Sequence, residues 1–91
     1  MSKGDDLWDK REKLLRYLYD QGAIAADAAC NSNSAAQAIE ADPHDMIALV
    51  SNLHDEGVLR GQAGAAGLLY LTGPGFARAR DLVESQRRPM V

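Results

Sequence analysis

Cysteine is almost missing from this chain. Cys30 stands alone, which excludes an internal disulfide framework and any multi-cysteine zinc site. A lone thiol points to a reducing compartment. Long hydrophobic runs are missing as well. No apolar stretch approaches the roughly 18–20 residues of a membrane span. Residues 1–6 are too charged for the start of a secretory signal, so the cytoplasm is the expected location. The largest gap is in positive charge. Lys and Arg are absent from 17–59, whereas Asp20, Asp27, Glu40, Asp42, Asp45, Asp55 and Glu56 all fall inside that stretch. With a formal net charge of −3, the chain lacks the basic composition of a nucleic-acid coat.

What is present suits a small globular unit. A length of 91 residues predicts one domain spanning 1–91, ordered from about residue 6 to 86 with a flexible tail at 87–91. Such a chain buries only about 60–65% of its unfolded surface, so the core is small. A first helix is expected over 6–21, where Leu7, Trp8, Leu14, Leu15, Leu18 and Tyr19 share one arc and Gly22 supplies the stop. Asp9–Lys13, Asp6–Lys10 and Glu12–Arg16 are favourable pairs four apart. Arg11 projects within the apolar arc, its stem packing and its head reaching water. Residues 23–33 fit either a short extra helix or a loop with one extended pair.

Ser34 is the expected cap of a second helix over 35–41, anchored by Ile39. Asp42-Pro43 interrupts it and starts a third helix running to Glu56. Met46, Leu49, Val50 and Leu53 form its apolar stripe, with Ile47 at the margin. Two strands, 58–60 and 68–72, predict a hairpin with a tip at 61–67. Thr72 caps a last helix over 74–86. The predicted core is Leu14, Leu15, Leu18, Ile39, Met46, Leu49, Val50, Leu53, Leu59, Leu69 and Leu71.

Catalytic chemistry has little support. His44 and His54 lie ten apart and lack a second cysteine, which is no metal pattern. His54-Asp55-Glu56 are helix neighbours whose side chains diverge. Gly61, Gly64 and Gly67 lack the lysine and hydroxyl residue of a phosphate loop. No enzyme, no metal and no cofactor is expected.

The segment Ala35-Ala-Gln-Ala-Ile-Glu-Ala-Asp-Pro-His-Asp-Met-Ile-Ala-Leu-Val-Ser-Asn-Leu-His-Asp-Glu-Gly-Val-Leu59 resembles the helix-turn-helix and wing entry of the winged helix-turn-helix family. Leu71-Thr72-Gly-Pro-Gly75 is similar to the Leu-Thr-x-x-Gly with which that family leaves its wing. The resemblance covers most of 7–86 and identifies no subfamily. It implies a mainly α fold, three core helices plus a C-terminal helix, with a small β-hairpin wing. It also implies a DNA reader whose third helix enters the major groove, and dimers formed through the terminal helices.

The charges oppose the usual DNA-binding mode. The outward face of the third helix carries His44, Asp45, Ala48, Ser51, Asn52 and Asp55. Ser51 and Asn52 suit base edges, but affinity comes from neutralised phosphates, and this face offers no cation. Candidate phosphate contacts lie elsewhere, at Lys10, Lys13, Arg16, Arg60, Arg78 and Arg80, with Arg87 and Arg88 beyond them. Candidate dimer contacts are Trp8, Tyr17, Tyr19, Phe76, Leu82 and Val83. Met1 reads as a natural start, against a purely structural fragment. The leading expectation is a non-enzymatic regulatory module that acts by protein–protein contact, because its third helix is acidic, with another protein or a second copy as the partner. The alternative is a homodimeric DNA-binding transcriptional regulator.

Overall fold

A computed structural model describes residues 3–64 and 66–87, with side chains over 7–85 apart from residue 65. The chain opens with helix α1 (Lys3–Asp20), passes a 3-10 turn at Ala26–Ala28, and enters strand β1 (Cys30–Asn31). Helices α2 (Ser32–Ala38) and α3 (Pro43–Asp55) follow. Strands β2 (Leu59–Gly61) and β3 (Leu68–Leu71) form the hairpin, and α4 (Gly73–Arg87) closes the fold. Beyond Arg87, the expected tail lies outside the described residues, as do Arg88 and the side chain of Arg87.

The helix ends explain most of this geometry. Asp42 caps α3 by accepting from the Asp45 N–H at 2.7 Å, and Pro43 takes the first helical position. At the other end, Gly57 adopts φ 76° and donates to the His54 carbonyl at 3.0 Å, while the Val58 N–H reaches the Leu53 carbonyl at 3.2 Å. That is a Schellman ending. Helix α2 ends in the same way, with Ala41 N–H donating to the Ala36 carbonyl at 2.9 Å, but its left-handed residue is Glu40 at φ 57°. An L side chain there costs about 1–2 kcal/mol. Glu40→Gly is therefore expected to raise the unfolding free energy by about 1 kcal/mol, less some chain entropy. Urea denaturation checks this; an unchanged or lowered midpoint contradicts it.

Two expectations are corrected here. The second helix begins at Ser32 rather than Ala35, because Asn31 is its cap: the carboxamide oxygen accepts from the N–H groups of Asn33 at 2.9 Å and Ser34 at 3.2 Å. Ser34 is thus a capped residue, and Ile39 follows the last helical residue. The sheet has three strands rather than two. Its order is β1-β3-β2, all antiparallel, with Cys30 opposite Leu69 and Leu59 opposite Leu71. The segment that fits a short helix or an extended pair contains both, the 3-10 turn and β1.

Every predicted core residue is buried, together with Ala23, Ala35, Ala36, Val58, Ala79 and Val83. Leu14, Leu18, Leu53, Leu59, Leu69 and Leu71 are sealed completely, at 0% exposure. They tie α1, α3 and the sheet into one cluster. The wing is anchored at its base, where Thr72 Oγ1 donates to the Gly57 carbonyl at 2.6 Å and accepts from the Gly75 N–H at 3.1 Å. Among the described residues, no helix is long and apolar enough to cross a membrane.

Candidate nucleic-acid interface

Met46, Leu49, Val50 and Leu53 of α3 turn inward, so its opposite side faces solvent. His44, Ala48, Ser51, Asn52 and Asp55 are exposed there, as sequence spacing predicts. Ile47 and His54 join them, and the reading above gave neither a place on this face. Ile47 is 61% exposed, not part of the apolar stripe. Its spacing of four from Ser51 was the available signal, since residues four apart share a helix face. His54 lines the same side one turn further along.

This surface has two edges. Toward the wing, Ile47, Ser51, His54 and Asp55 line an open groove of about 340 Å³ whose far wall is Gly61, Gln62 and Ala63. Toward α1, Ala48 and Asn52 line a second groove of about 320 Å³ with Leu7, Trp8 and Arg11. Asp45 lies at that second edge and is drawn off the outward face: Lys10 Nζ reaches its carboxylate at 3.9 Å. The absence of a compensating cation beside Asp45, expected from the local sequence, is thereby corrected. The cation comes from α1, 35 positions earlier in the chain.

Glu56, just past the end of α3, is compensated twice. Arg11 Nη2 and Arg78 Nη1 each approach its carboxylate at 2.6 Å. Arg11 also lies over the Trp8 ring at 4.5 Å, so its head meets Glu56 and the indole rather than open water. The Arg78 hydrogen bond, with both guanidinium charges, outweighs partial desolvation and holds the Glu56 carboxyl below its ordinary value of 4.5. A carboxylate depressed in the folded state stabilises the fold above its unfolded value, and that contribution fades as the pH falls through the folded value. Melting temperatures measured from neutral pH down through the ordinary glutamate range should therefore fall, and fall less in Glu56→Gln. Parallel curves for the two proteins would contradict this. With the Glu56 side chain about a third exposed, solvent screening keeps the effect small.

The candidate phosphate contacts are distributed unevenly. Lys10 and Arg78 are engaged with Asp45 and Glu56, Lys13 with Asp9 at 3.5 Å, and Arg80 with Glu84 at 3.8 Å. Arg16 and Lys13 line a groove of about 460 Å³ between α1, α2 and α4, away from the outward face of α3. Arg60 is exposed on β2 opposite Tyr70 and enters none of the ion pairs among the described residues. Among the candidate dimer contacts, Trp8 is exposed and Tyr17 and Leu82 are half-buried. Tyr19 and Phe76 stack on each other at 5.2 Å between ring centroids, and Val83 is buried. Among the described residues, no group of three or more His, Cys, Asp or Glu is placed to hold a metal ion. Burial pushes the Cys30 thiol up from its ordinary value, which opposes thiolate chemistry.

Helices α2 and α3 in a helix-turn-helix, with α3 turned outward beside a sheet-based wing, define a winged helix-turn-helix fold. The same fold is found in a MarR family transcriptional regulator from Silicibacter pomeroyi DSS-3, which superposes with a TM-score of 0.71 over 86% of this chain at 24% sequence identity. This chain spans about half of that regulator, 53% of its length. No family model matches the sequence, and no curated protein sequence does.

Proposed function

We propose that this winged-helix domain is a DNA-binding transcriptional regulator that reads duplex DNA through α3 and works as a homodimer. The observation that carries this reading is the outward face of α3. Ser51 and Asn52 stand exposed on it, and the nearby acids Asp45 and Glu56 are held by cations from α1 and α4. Asparagine can pair bidentately with adenine, serine can bond to either pair, and Ile47 offers an apolar contact to a thymine methyl. The fold shared with a transcriptional regulator supports DNA over the protein partner that the charge pattern first favoured. Exposed Trp8 and half-buried Leu82 supply the apolar surface for the second copy.

Affinity on this reading is modest, because few phosphates are neutralised. The slope of log K against log salt is about −0.9 per phosphate contact. Arg60 and its counterpart in a second copy therefore predict a shallow slope of about −2 and no measurable binding to mixed duplex at physiological salt. The test is selection from a random duplex pool at about 50 mM salt, where electrostatic attraction is less screened. A recurrent sequence should emerge, and Asn52→Ala should relax it at one position while weakening binding roughly 5- to 100-fold. If no sequence is enriched and low salt gives no mobility shift, DNA reading fails. A second reading then stands, a protein partner presenting basic or apolar groups to α3. It is favoured by the absence of Lys and Arg from 17–59, and Asp45→Lys with Asp55→Lys should weaken that partner's binding.

A further inference from the structure

Trp8 is the single tryptophan of the chain, and it is 56% exposed. A large aromatic left in solvent, apolar in body with one polar handle, marks a contact surface. Its two flanks open on different surfaces. On one flank Trp8 lines a cleft of about 110 Å³ with Leu15 and Leu82, on the side of the terminal helices assigned to a second copy. On the other it lines the groove of about 320 Å³ with Leu7, Arg11, Ala48, Leu49 and Asn52. Ala48 and Asn52 are exposed residues of α3, on the face that reads DNA in the function proposed here. A duplex seated on that face therefore meets the α1 wall of the same groove. We propose that Trp8 is a DNA-backbone contact, its ring packing on a deoxyribose and its indole N–H donating to a phosphate beside the base read by Asn52.

The chemistry of the groove fits a phosphodiester. The indole N–H enters no hydrogen bond among the described residues. It is a donor without acceptor capacity, and phosphate oxygens accept. The ring is also held in place. The Arg11 guanidinium lies over it at 4.5 Å and is itself anchored on Glu56 at 2.6 Å, so little side-chain freedom remains to be lost on binding. The charges on this edge balance. Lys10 meets Asp45, Lys13 meets Asp9, and Arg11 and Arg78 meet Glu56, with Glu12 on the far flank of Trp8. That sets four cations against four acids, unlike the acid excess of 17–59. A neutral donor adds a phosphate contact without adding a cation, which suits a reading face that carries no Lys or Arg.

This inference rests on the DNA reading, and one experiment separates the two. The full chain is titrated with a mixed-sequence duplex at about 50 mM salt, where attraction to phosphate is less screened. As the chain's single tryptophan, Trp8 reports its own surroundings by fluorescence, and quenching of that emission by acrylamide should fall as duplex saturates the protein. Trp8→Phe keeps a ring under Arg11 but has no N–H. It should bind a labelled copy of the same duplex about tenfold more weakly, the loss of one hydrogen bond to a charged acceptor. Its salt slope should match that of the wild type, because a neutral donor releases no counterion. The site is exposed, so the variant should fold, which circular dichroism checks, and sedimentation velocity follows the oligomeric state of both proteins. Unchanged quenching in a duplex complex that does form, or Trp8→Phe binding as tightly as the wild type, overturns the Trp8 contact and leaves reading by α3 intact. An affinity loss that tracks a loss of dimer overturns it too, since Trp8 then serves the second copy alone. Absence of any duplex binding overturns DNA reading and the Trp8 contact with it.

Discussion

Leu53→Ala is expected to lower the unfolding free energy by about 2–5 kcal/mol, the largest loss from any single truncation of α3. Leu53 is 0% exposed and sits on the inward stripe of α3 with Met46, Leu49 and Val50. It belongs to the cluster formed by Leu14 and Leu18 of α1 with Leu59, Leu69 and Leu71 of the sheet. Truncation removes the transfer energy of the side chain and leaves a cavity that sealed neighbours on several elements cannot close. A domain this small holds only about 5–15 kcal/mol in total, so the melting temperature should fall by at least about 8 °C. Ile47→Ala on the same helix is the control. Its side chain is 61% exposed, and the change should stay within about 0.5 kcal/mol. Equal effects at the two sites would mean that the inward and outward faces of α3 are wrongly assigned.

Gly75→Ala should also destabilise, by about 1–3 kcal/mol, although alanine is the better helix former by about 1 kcal/mol. A Cβ built on Gly75 would lie 1.7 Å from the Val58 carbonyl oxygen. Helix α4 is docked at this point. The Thr72 N–H donates to that same Val58 carbonyl at 3.2 Å, and Thr72 Oγ1 bridges Gly57 and Gly75. Making room for a methyl group pulls α4 away from the base of the wing and strains all three bonds. Gly73, two residues earlier, has nothing within 4 Å of its Cβ position, so Gly73→Ala should be neutral or mildly stabilising. Thermal melts of the pair decide the matter: if Gly75→Ala raises the melting temperature as propensity alone predicts, α4 does not pack on the wing this closely.

These two glycines show where sequence reading succeeds and where it stops. Helices α1, α3 and α4 are legible because each combines an apolar stripe with a local stop or start signal: Gly22, Asp42-Pro43, Gly57 and Thr72. Burial follows from the same stripe, which is why Leu53 can be assigned to the core without coordinates. Strand β1 is a different matter. Cys30 and Asn31 are too few to show alternation, and they become a strand only because β3 offers an open edge to them. Asn31 then pairs with that edge and caps α2 at once, so its carboxamide displaces Ser34 from the role that local rules assign. The close approach at Gly75 is invisible for the same reason, since Val58 lies 17 positions away.

The site was half legible. The outward face of α3 follows from its periodicity, and the structure leaves His44, Ala48, Ser51, Asn52 and Asp55 exposed on it. Its electrostatics do not follow from periodicity. Read along the chain, 17–59 is a run of uncompensated acid. In three dimensions Lys10 reaches Asp45, and Arg11 and Arg78 close on Glu56 from both terminal helices. Local charge counting overstates repulsion wherever a partner comes from a distant element. Ile47, placed at the margin of the stripe by sequence, turns fully outward and is 61% exposed.

The most direct test of DNA reading by α3 is amide chemical-shift mapping of the isotope-labelled chain during titration with a short duplex at low salt. The account predicts shifts concentrated on α3, from His44 to Asp55, with a second group on Arg60 to Gln62 in the wing and little change on the far sides of α1 and α4. Shifts confined to α1 and α4, or no shifts at all at saturating duplex, would contradict it.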